Sequence, residues 1–273
     1  MNIQHELLTL VAGVFAGGVG ALLGLGGGVF LIPALMFGLG LTMIQASGVS
    51  VITIIATSSA ASAAKGRLQL VNMRLGMVLE VFTTTGGVTG IWLFSRISPR
   101  TQQLAFAWTL VAIGLMAVSR LDKRNVVKDA NLDVGLLGGR FEEAESGGVV
   151  SYRVKRPVVA FVASFLAGVV SNFGIGGGVI KVPALNTWCG VPIRAAAATS
   201  SLMLAATALI VAADRFSRGQ IIPELAAAAV LGVLVGTQAG LWVQSRSKAK
   251  THKIVLAILM FAVAGLYFFG PNK

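Results

Sequence analysis

A glycine-rich stretch occurs twice in this 273-residue chain, 150 positions apart. Gly24-Leu25-Gly26-Gly27-Gly28-Val29-Phe30-Leu31-Ile32-Pro33-Ala34-Leu35 returns as Gly174-Ile175-Gly176-Gly177-Gly178-Val179-Ile180-Lys181-Val182-Pro183-Ala184-Leu185, with 8 of the 12 positions identical. Each copy interrupts apolar sequence in which a helix would otherwise run unbroken. Backbone that leaves helical geometry inside hydrocarbon must be buried by protein or line a cavity, because unsatisfied polar groups are costly there. Paired interruptions in corresponding halves of a membrane protein are a pointer to a transport site.

Composition sets the class. Hydrophobic residues make up 55% of the chain and charged residues 12%, with a mean hydropathy of +0.83. A soluble domain carries about a quarter charged residues, so a soluble fold is excluded. The apolar runs Leu7–Leu23, Gly76–Phe94, Leu104–Val118, Leu225–Val243 and Ile254–Phe269 approach the length of a bilayer span. They do not alternate, which excludes a transmembrane β-barrel. The single Cys189 excludes an intramolecular disulfide and a cysteine metal cluster. His5 and His252 lie near segment ends, poor ground for a metal site. There is no P-loop, and Gly24-x-Gly26 has no βαβ context, so no nucleotide cofactor and no enzymatic activity are expected. No basic stretch precedes the first apolar run, so Met1–Leu23 reads as a retained span and not as a cleaved signal.

The offset of 150 extends beyond the glycines. Ala46 matches Ala196 and Ser50 matches Ser200; Gly86, Gly90, Trp92, Ser95 and Arg96 match Gly236, Gly240, Trp242, Ser245 and Arg246. The chain is an internal duplication: residues 1–120, a polar linker over 121–156, and residues 157–273. Five apolar segments are expected per half. In the first they are Leu7–Leu23, Val29–Gly40, Ile44–Ala64, Leu75–Ser95 and Gln103–Ser119. In the second they are Pro157–Phe173, Val179–Gly190, Arg194–Ala213, Pro223–Ser245 and Ile254–Phe269. The second segment of each half has about 12 residues, or about 18 Å as helix. That is short of the roughly 30 Å hydrocarbon core, so it reads as re-entrant or as one limb of a broken helix. The linker reads as solvated, with Glu142, Glu143 and Glu145 among basic residues and a short strand available at Val149–Val154.

The net charge of +12 does not form a nucleic-acid stripe; the basic residues cluster at the ends of apolar runs. With connections alternating across the bilayer, 16 basic residues fall on one side and 5 on the other, and Lys181 lies within a segment. The positive-inside rule then makes the linker cytoplasmic and places both termini outside. Each half has an odd number of crossings, so the halves are inverted. The fold class expected is an all-α polytopic membrane protein of two inverted five-segment repeats with glycine-broken or re-entrant short helices.

The glycine turns carry the chemistry. A helix begins after each, and its first N–H groups lack internal partners. Those donors and the positive helix end favour an anion, which glycines allow close to the backbone. Gly24, Gly26, Gly27, Gly28, Gly174, Gly176, Gly177 and Gly178 are therefore substrate-binding candidates, with Pro33 and Pro183 as helix-break residues. The alternative for the glycines is tight helix crossing. Ser50, Thr53, Thr199, Ser200 and Ser201 offer hydroxyls and Asn172 two amide donors. Their alternative is helix-to-helix hydrogen bonding. Lys181 mirrors Leu31, and a lysine among apolar residues either meets the anion or snorkels to an interface. Glu80 is the candidate carrier of a coupling proton, against a bond to Arg74 or a nearby interface.

With its doubled Gly-x-Gly-Gly-Gly-Val-x-x-x-Pro-Ala-Leu motif and Ala196-Ala197-Ala198-Thr199-Ser200-Ser201, the chain resembles the TauE/SafE family of sulfite-exporter-like permeases over nearly its whole length. The resemblance implies a carrier of small sulfur-containing anions, sulfite or sulfonates, in a bacterial or archaeal inner membrane. Thr199-Ser200 fits the family pattern; the first half has Val49-Ser50 instead. One elementary charge crossing 100 mV is worth about 2.3 kcal/mol, so an anion leaves a negative cell interior downhill. Alternating-access export is the leading expectation, with proton-coupled uptake and an anion channel as alternatives. The expected partners are a small anionic substrate and the lipid bilayer, with a homodimer among the open assemblies.

Overall fold

In the computed structural model, residues 3–23, 27–63, 68–119, 133–143, 148–244 and 249–269 are described. Their helices are α1 (Ile3–Leu23), α2 (Gly28–Leu39), α3 (Met43–Ala63), α4 (Met73–Phe94), α5 (Pro99–Ser119), α6 (Pro157–Ser171), α7 (Gly178–Thr187), α8 (Ile193–Ser217), α9 (Pro223–Gln244) and α10 (Ala249–Phe269). A single 3-10 turn spans Leu68–Leu70, and a two-stranded sheet pairs β1 (Gly139–Glu143) with β2 (Gly148–Tyr152). The all-α membrane class is what the sequence predicts. Helices α1, α3, α4, α8 and α9 are long and apolar enough to cross a membrane, whereas α2 and α7 have 12 and 10 residues.

The 150-residue offset governs the structure as it does the sequence. It carries the first residues of α2, α3, α4, α5 onto those of α7, α8, α9, α10, and both ends of α4 and α5 onto those of α9 and α10. Packing obeys the same exchange. Helix α1 lies along α9 and α6 along α4, so each half's first helix packs on the other half's fourth. The pairs α3·α8 and α5·α10 join counterparts directly.

Small residues make these crossings close, which is how membrane helices gain contact without a hydrophobic driving force. A methyl on Gly17 of α1 would enter the Val233 carbonyl, and methyls on Gly232 and Gly236 of α9 the carbonyls of Leu10 and Val14. In the α4·α6 crossing, Gly86 abuts the Phe165 carbonyl and Gly168 that of Thr83. Large apolar side chains such as Phe15, Val81, Trp92, Leu231 and Trp242 point outward, as a lipid-facing surface requires. Trp92 and Trp242 hold mirrored places near the ends of α4 and α9, and Arg96 stacks over Trp92 at 4.0 Å. Aromatic rings favour that level, where headgroups begin.

The short helices end alike. Gly40 (φ 68°) and Gly190 (φ 74°) are left-handed, and the next amides, Leu41 and Val191, donate back to Leu35 and Leu185 at 3.3 and 3.0 Å. This closure satisfies carbonyls left over at a helix end. Pro33 and Pro183 are corrected: both lie inside their helices and neither ends one. The interruption belongs to the glycines before them, because one missing N–H bond is tolerated where a neighbouring structure buries the backbone.

The described part of the linker, residues 133–143 and 148–156, folds onto the helices. Its strands pair antiparallel, Arg140 opposite Ser151 and Phe141 opposite Val150; β2 overlaps the strand expected at Val149–Val154 but spans Gly148–Tyr152, and its partner β1 was not expected. Phe141, Val150 and Tyr152 are buried in a cluster with Leu75, Leu79, Leu185, Cys189, Val191 and Met203. The side chains of Glu142, Glu143 and Glu145 lie outside the described residues. A second apolar cluster joins α2, α3, α5, α9 and α10, where Phe106 packs edge-on against Tyr267 and Phe173.

Candidate functional site

Gly24 and Gly26 lie outside the described residues. From Gly27 onward the two breaks can be compared. The Gly27 carbonyl accepts the amides of Phe30 and Leu31 at 3.3 and 3.2 Å, and the Gly177 carbonyl those of Ile180 and Lys181 at 3.2 and 3.0 Å. Neither helix start has a side-chain cap. The leading amides of α2 and α7 thus keep the donor character and positive potential of an uncapped N-terminus. Between α6 and α7 the chain turns through Gly174 (φ 78°) and Gly176 (φ 71°), a region that side-chain-bearing residues avoid.

The breaks touch. A methyl on Gly28 would strike the Gly174 carbonyl and stand 2.5 Å from Ser50 Oγ. The Ser50 hydroxyl of α3 donates to that same carbonyl at 2.6 Å. One half's helix start is therefore stapled to the other half's turn by a serine of the first half.

The register counterpart of Ser50 behaves differently. Ser200 Oγ of α8 lies 3.3 Å from where a methyl on Gly178 would sit, at the first residue of α7. It is buried and has no hydrogen-bond partner. A buried hydroxyl is normally satisfied, so an orphan beside an uncapped helix start is the site's most telling atom. The other predicted polar groups each have a hydrogen-bond partner. Thr53 donates to the Ser50 carbonyl at 2.7 Å and Ser201 to that of Ala197 at 2.9 Å. Such back-bonding is the usual state of hydroxyls inside helices. Thr199 accepts the Asn72 amide at 3.0 Å. Asn172 donates to the carbonyls of Gly87 at 3.1 Å and Val169 at 3.2 Å, clasping α6 onto α4.

Lys181 does not snorkel. Its side chain is 0% exposed, and Nζ lies 4.0 Å from Glu80 Oε2 and 3.4 Å from Thr83 Oγ1. The other Glu80 oxygen accepts from Thr207 Oγ1 at 2.6 Å. The bond expected from Glu80 to Arg74 is corrected: Arg74 is exposed at the start of α4, and Glu80, one and a half turns further along, turns inward to Lys181. Thr83 and Thr207 were not among the predicted residues, though their spacing marks them. Thr83 is three residues from Glu80 on α4 and Thr207 seven from Ser200 on α8, so each shares its partner's helix face.

At one end of this region Asn72 meets the described part of the linker. Asn72 Oδ1 caps α4 by accepting the Leu75 amide at 3.0 Å, while Nδ2 lies 3.0 Å from the Leu137 carbonyl, the Gly138 carbonyl and the Tyr152 hydroxyl. Burial pushes the Tyr152 phenol above its ordinary range, partly offset by Asn72. The Lys155 amide donates to the Cys189 carbonyl at 3.1 Å, tying the hairpin's exit to the α7–α8 turn. Among the described residues no group of three or more His, Cys, Asp or Glu side chains could hold a metal ion.

A family model described as "Sulfite exporter TauE/SafE" matches residues 9–267. The chain is also 25% identical, over 265 residues, to the protein "Probable membrane transporter protein YunE" of Bacillus subtilis (strain 168), covering 94% of this chain and 95% of that protein. No solved structure matches it.

Proposed function

The chain belongs to the sulfite exporter TauE/SafE family and is a membrane transporter; from that premise we propose that it moves small sulfur-containing oxyanions, sulfite or organosulfonates, out of the cell across the inner membrane by alternating access. The observation that carries the reading is the unpartnered Ser200 hydroxyl beside the uncapped start of α7. A tetrahedral or pyramidal oxyanion would accept from Ser200 Oγ and from the leading amides of α7, donors that cost no counter-charge when buried. The left-handed glycine turn lets it reach the backbone, and Lys181 supplies positive charge three residues further along the helix. Gly27 and Gly28, held against Gly174 by Ser50, form the opposing wall.

Alternating access is supported by the exchange of helix partners between halves, which lets one half rock against the other about a shared seam. The orientation rests on charge: the linker hairpin meets the start of α4 and the α7–α8 turn, three connections on the basic-rich side. On this reading that face is cytoplasmic and the halves are inverted. Export follows from the inside-negative potential acting on an anion.

The test is counterflow of labelled sulfite and of labelled methanesulfonate in proteoliposomes. Saturable, mutually competitive flux is expected. Absence of saturable flux with either anion overturns the reading, and ohmic conductance far above carrier turnover in planar bilayers would replace it with a channel.

A further inference from the structure

The Lys181–Glu80 pair is built loosely for a structural ion pair. Its atoms stand 4.0 Å apart, Glu80 Oε2 has no hydrogen bond, and the ammonium, with three donors, makes one described bond, to Thr83 at 3.4 Å. A pair selected for stability would close to about 2.8 Å and satisfy its remaining lone pairs. Nor does the fold need charges there. The register positions of Lys181, Glu80 and Thr83 in the other half are Leu31, Val230 and Val233, and Leu31 and Val233 are fully buried. Thr207 has a threonine counterpart in Thr57, so the junction is packed once with three apolar side chains and a threonine, and once with a cation, a carboxylate and two threonines.

Its position connects it to the anion site. Thr207, which holds Glu80, lies seven residues beyond Ser200 on α8, about 10 Å along the helix. Lys181 lies one turn inside α7 from Gly178. Each charge is the other's charged neighbour. Helix α6, packed against α4, has no titratable residue, and α7 has Lys181 alone. On α8 the remaining charged residues, Arg194, Asp214 and Arg215, are at least seven residues from Thr207.

We infer that this pair couples anion movement to a proton: the oxyanion takes Lys181 from Glu80, and the released carboxylate accepts one proton from water. Charge conservation in a buried site is the reason. The empty site is neutral, with one ammonium and one carboxylate. A monoanion entering alone would leave a net negative charge in a low-dielectric interior, which is expensive. With Glu80 protonated the loaded site is again neutral, and the carboxyl stays held by Thr207 Oγ1, which also lies 3.2 Å from the Met203 carbonyl. No bond other than O–H forms or breaks, and the proton returns to water when the anion leaves. A monoanion such as a sulfonate then crosses without net charge, its direction set by its own gradient and that of the proton, whereas the sulfite dianion still carries one negative charge outward with the potential.

The inference rests on the anion-transport reading, so the experiment separates the two. Purified full-length protein in weakly buffered detergent with a pH dye is titrated with methanesulfonate, which carries no proton of its own, alongside sulfite and methanesulfonate counterflow in proteoliposomes. About one proton taken up per anion bound is expected for the wild type, falling to none in the uncharged double variant Lys181→Met/Glu80→Gln, whose remaining anion binding loses its pH dependence; Glu80→Gln alone would leave buried Lys181 to take up the proton itself. Counterflow without proton uptake in the wild type overturns the coupling and leaves the transport reading intact. Proton uptake persisting in the double variant also overturns it. Absence of counterflow with both anions overturns the transport reading, and the coupling with it.

Discussion

Ser50 and Ser200 occupy the same register position and do different work. Ser50 donates to the Gly174 carbonyl, whereas Ser200 faces the start of α7 with nothing to bond. Ser200→Ala should therefore leave thermal stability within about 0.5 kcal/mol and weaken anion affinity by the value of one hydrogen bond to a charged group, about 1.5–3 kcal/mol or roughly ten- to a hundredfold. Ser50→Ala should instead lower stability by about 1 kcal/mol or more, because it orphans a buried carbonyl. Equal affinity losses in the two variants, read by equilibrium binding beside detergent melting curves, would remove the distinction. Lys181→Met leaves Glu80, whose side chain is 19% exposed, without its counter-charge and should cost about 1–3 kcal/mol. Adding Glu80→Gln should restore most of it, since the mirror positions Leu31 and Val230 carry no charge.

Among elements, the crossings of α1 with α9 and α4 with α6 carry the assembly, and glycines set their depth. Gly86→Leu and Gly236→Leu drive a side chain into the backbone carbonyls of Phe165 and Val14 and should abolish monodisperse protein on size exclusion. Gly265→Ala in α10, where a methyl meets nothing, should be neutral or stabilising by up to about 1 kcal/mol through helix propensity. Losing folded protein in the last variant, or keeping it in the first two, would contradict this packing. The linker hairpin depends on Asn72, which caps α4 and holds the Leu137–Gly138 backbone and Tyr152. Asn72→Ala should raise protease cleavage within the linker, seen by limited proteolysis, before global melting changes.

For the whole molecule, the two ends of the helix array test the orientation. With Cys189→Ser as background, an impermeant maleimide applied to intact cells should leave Gly148→Cys in the hairpin unlabelled and label a cysteine at Ser98, between α4 and α5. The reverse pattern would invert the proposed topology. The sequence by itself determined the membrane class, the duplication and the order and approximate placement of the helices, though not their ends, because hydropathy, backbone hydrogen bonding and a fixed register act along the chain. It also marked Lys181 and Glu80 as charges out of place. Only the tertiary structure decided that they face each other, that Thr83 and Thr207 hold them, that one mirrored serine is engaged and the other free, and that the linker folds onto the helices. Those outcomes depend on how far each helix is rotated and how closely it crosses its neighbour. Contacts between residues 98 to 127 positions apart are set by glycine-limited backbone approach, and no local pattern encodes them.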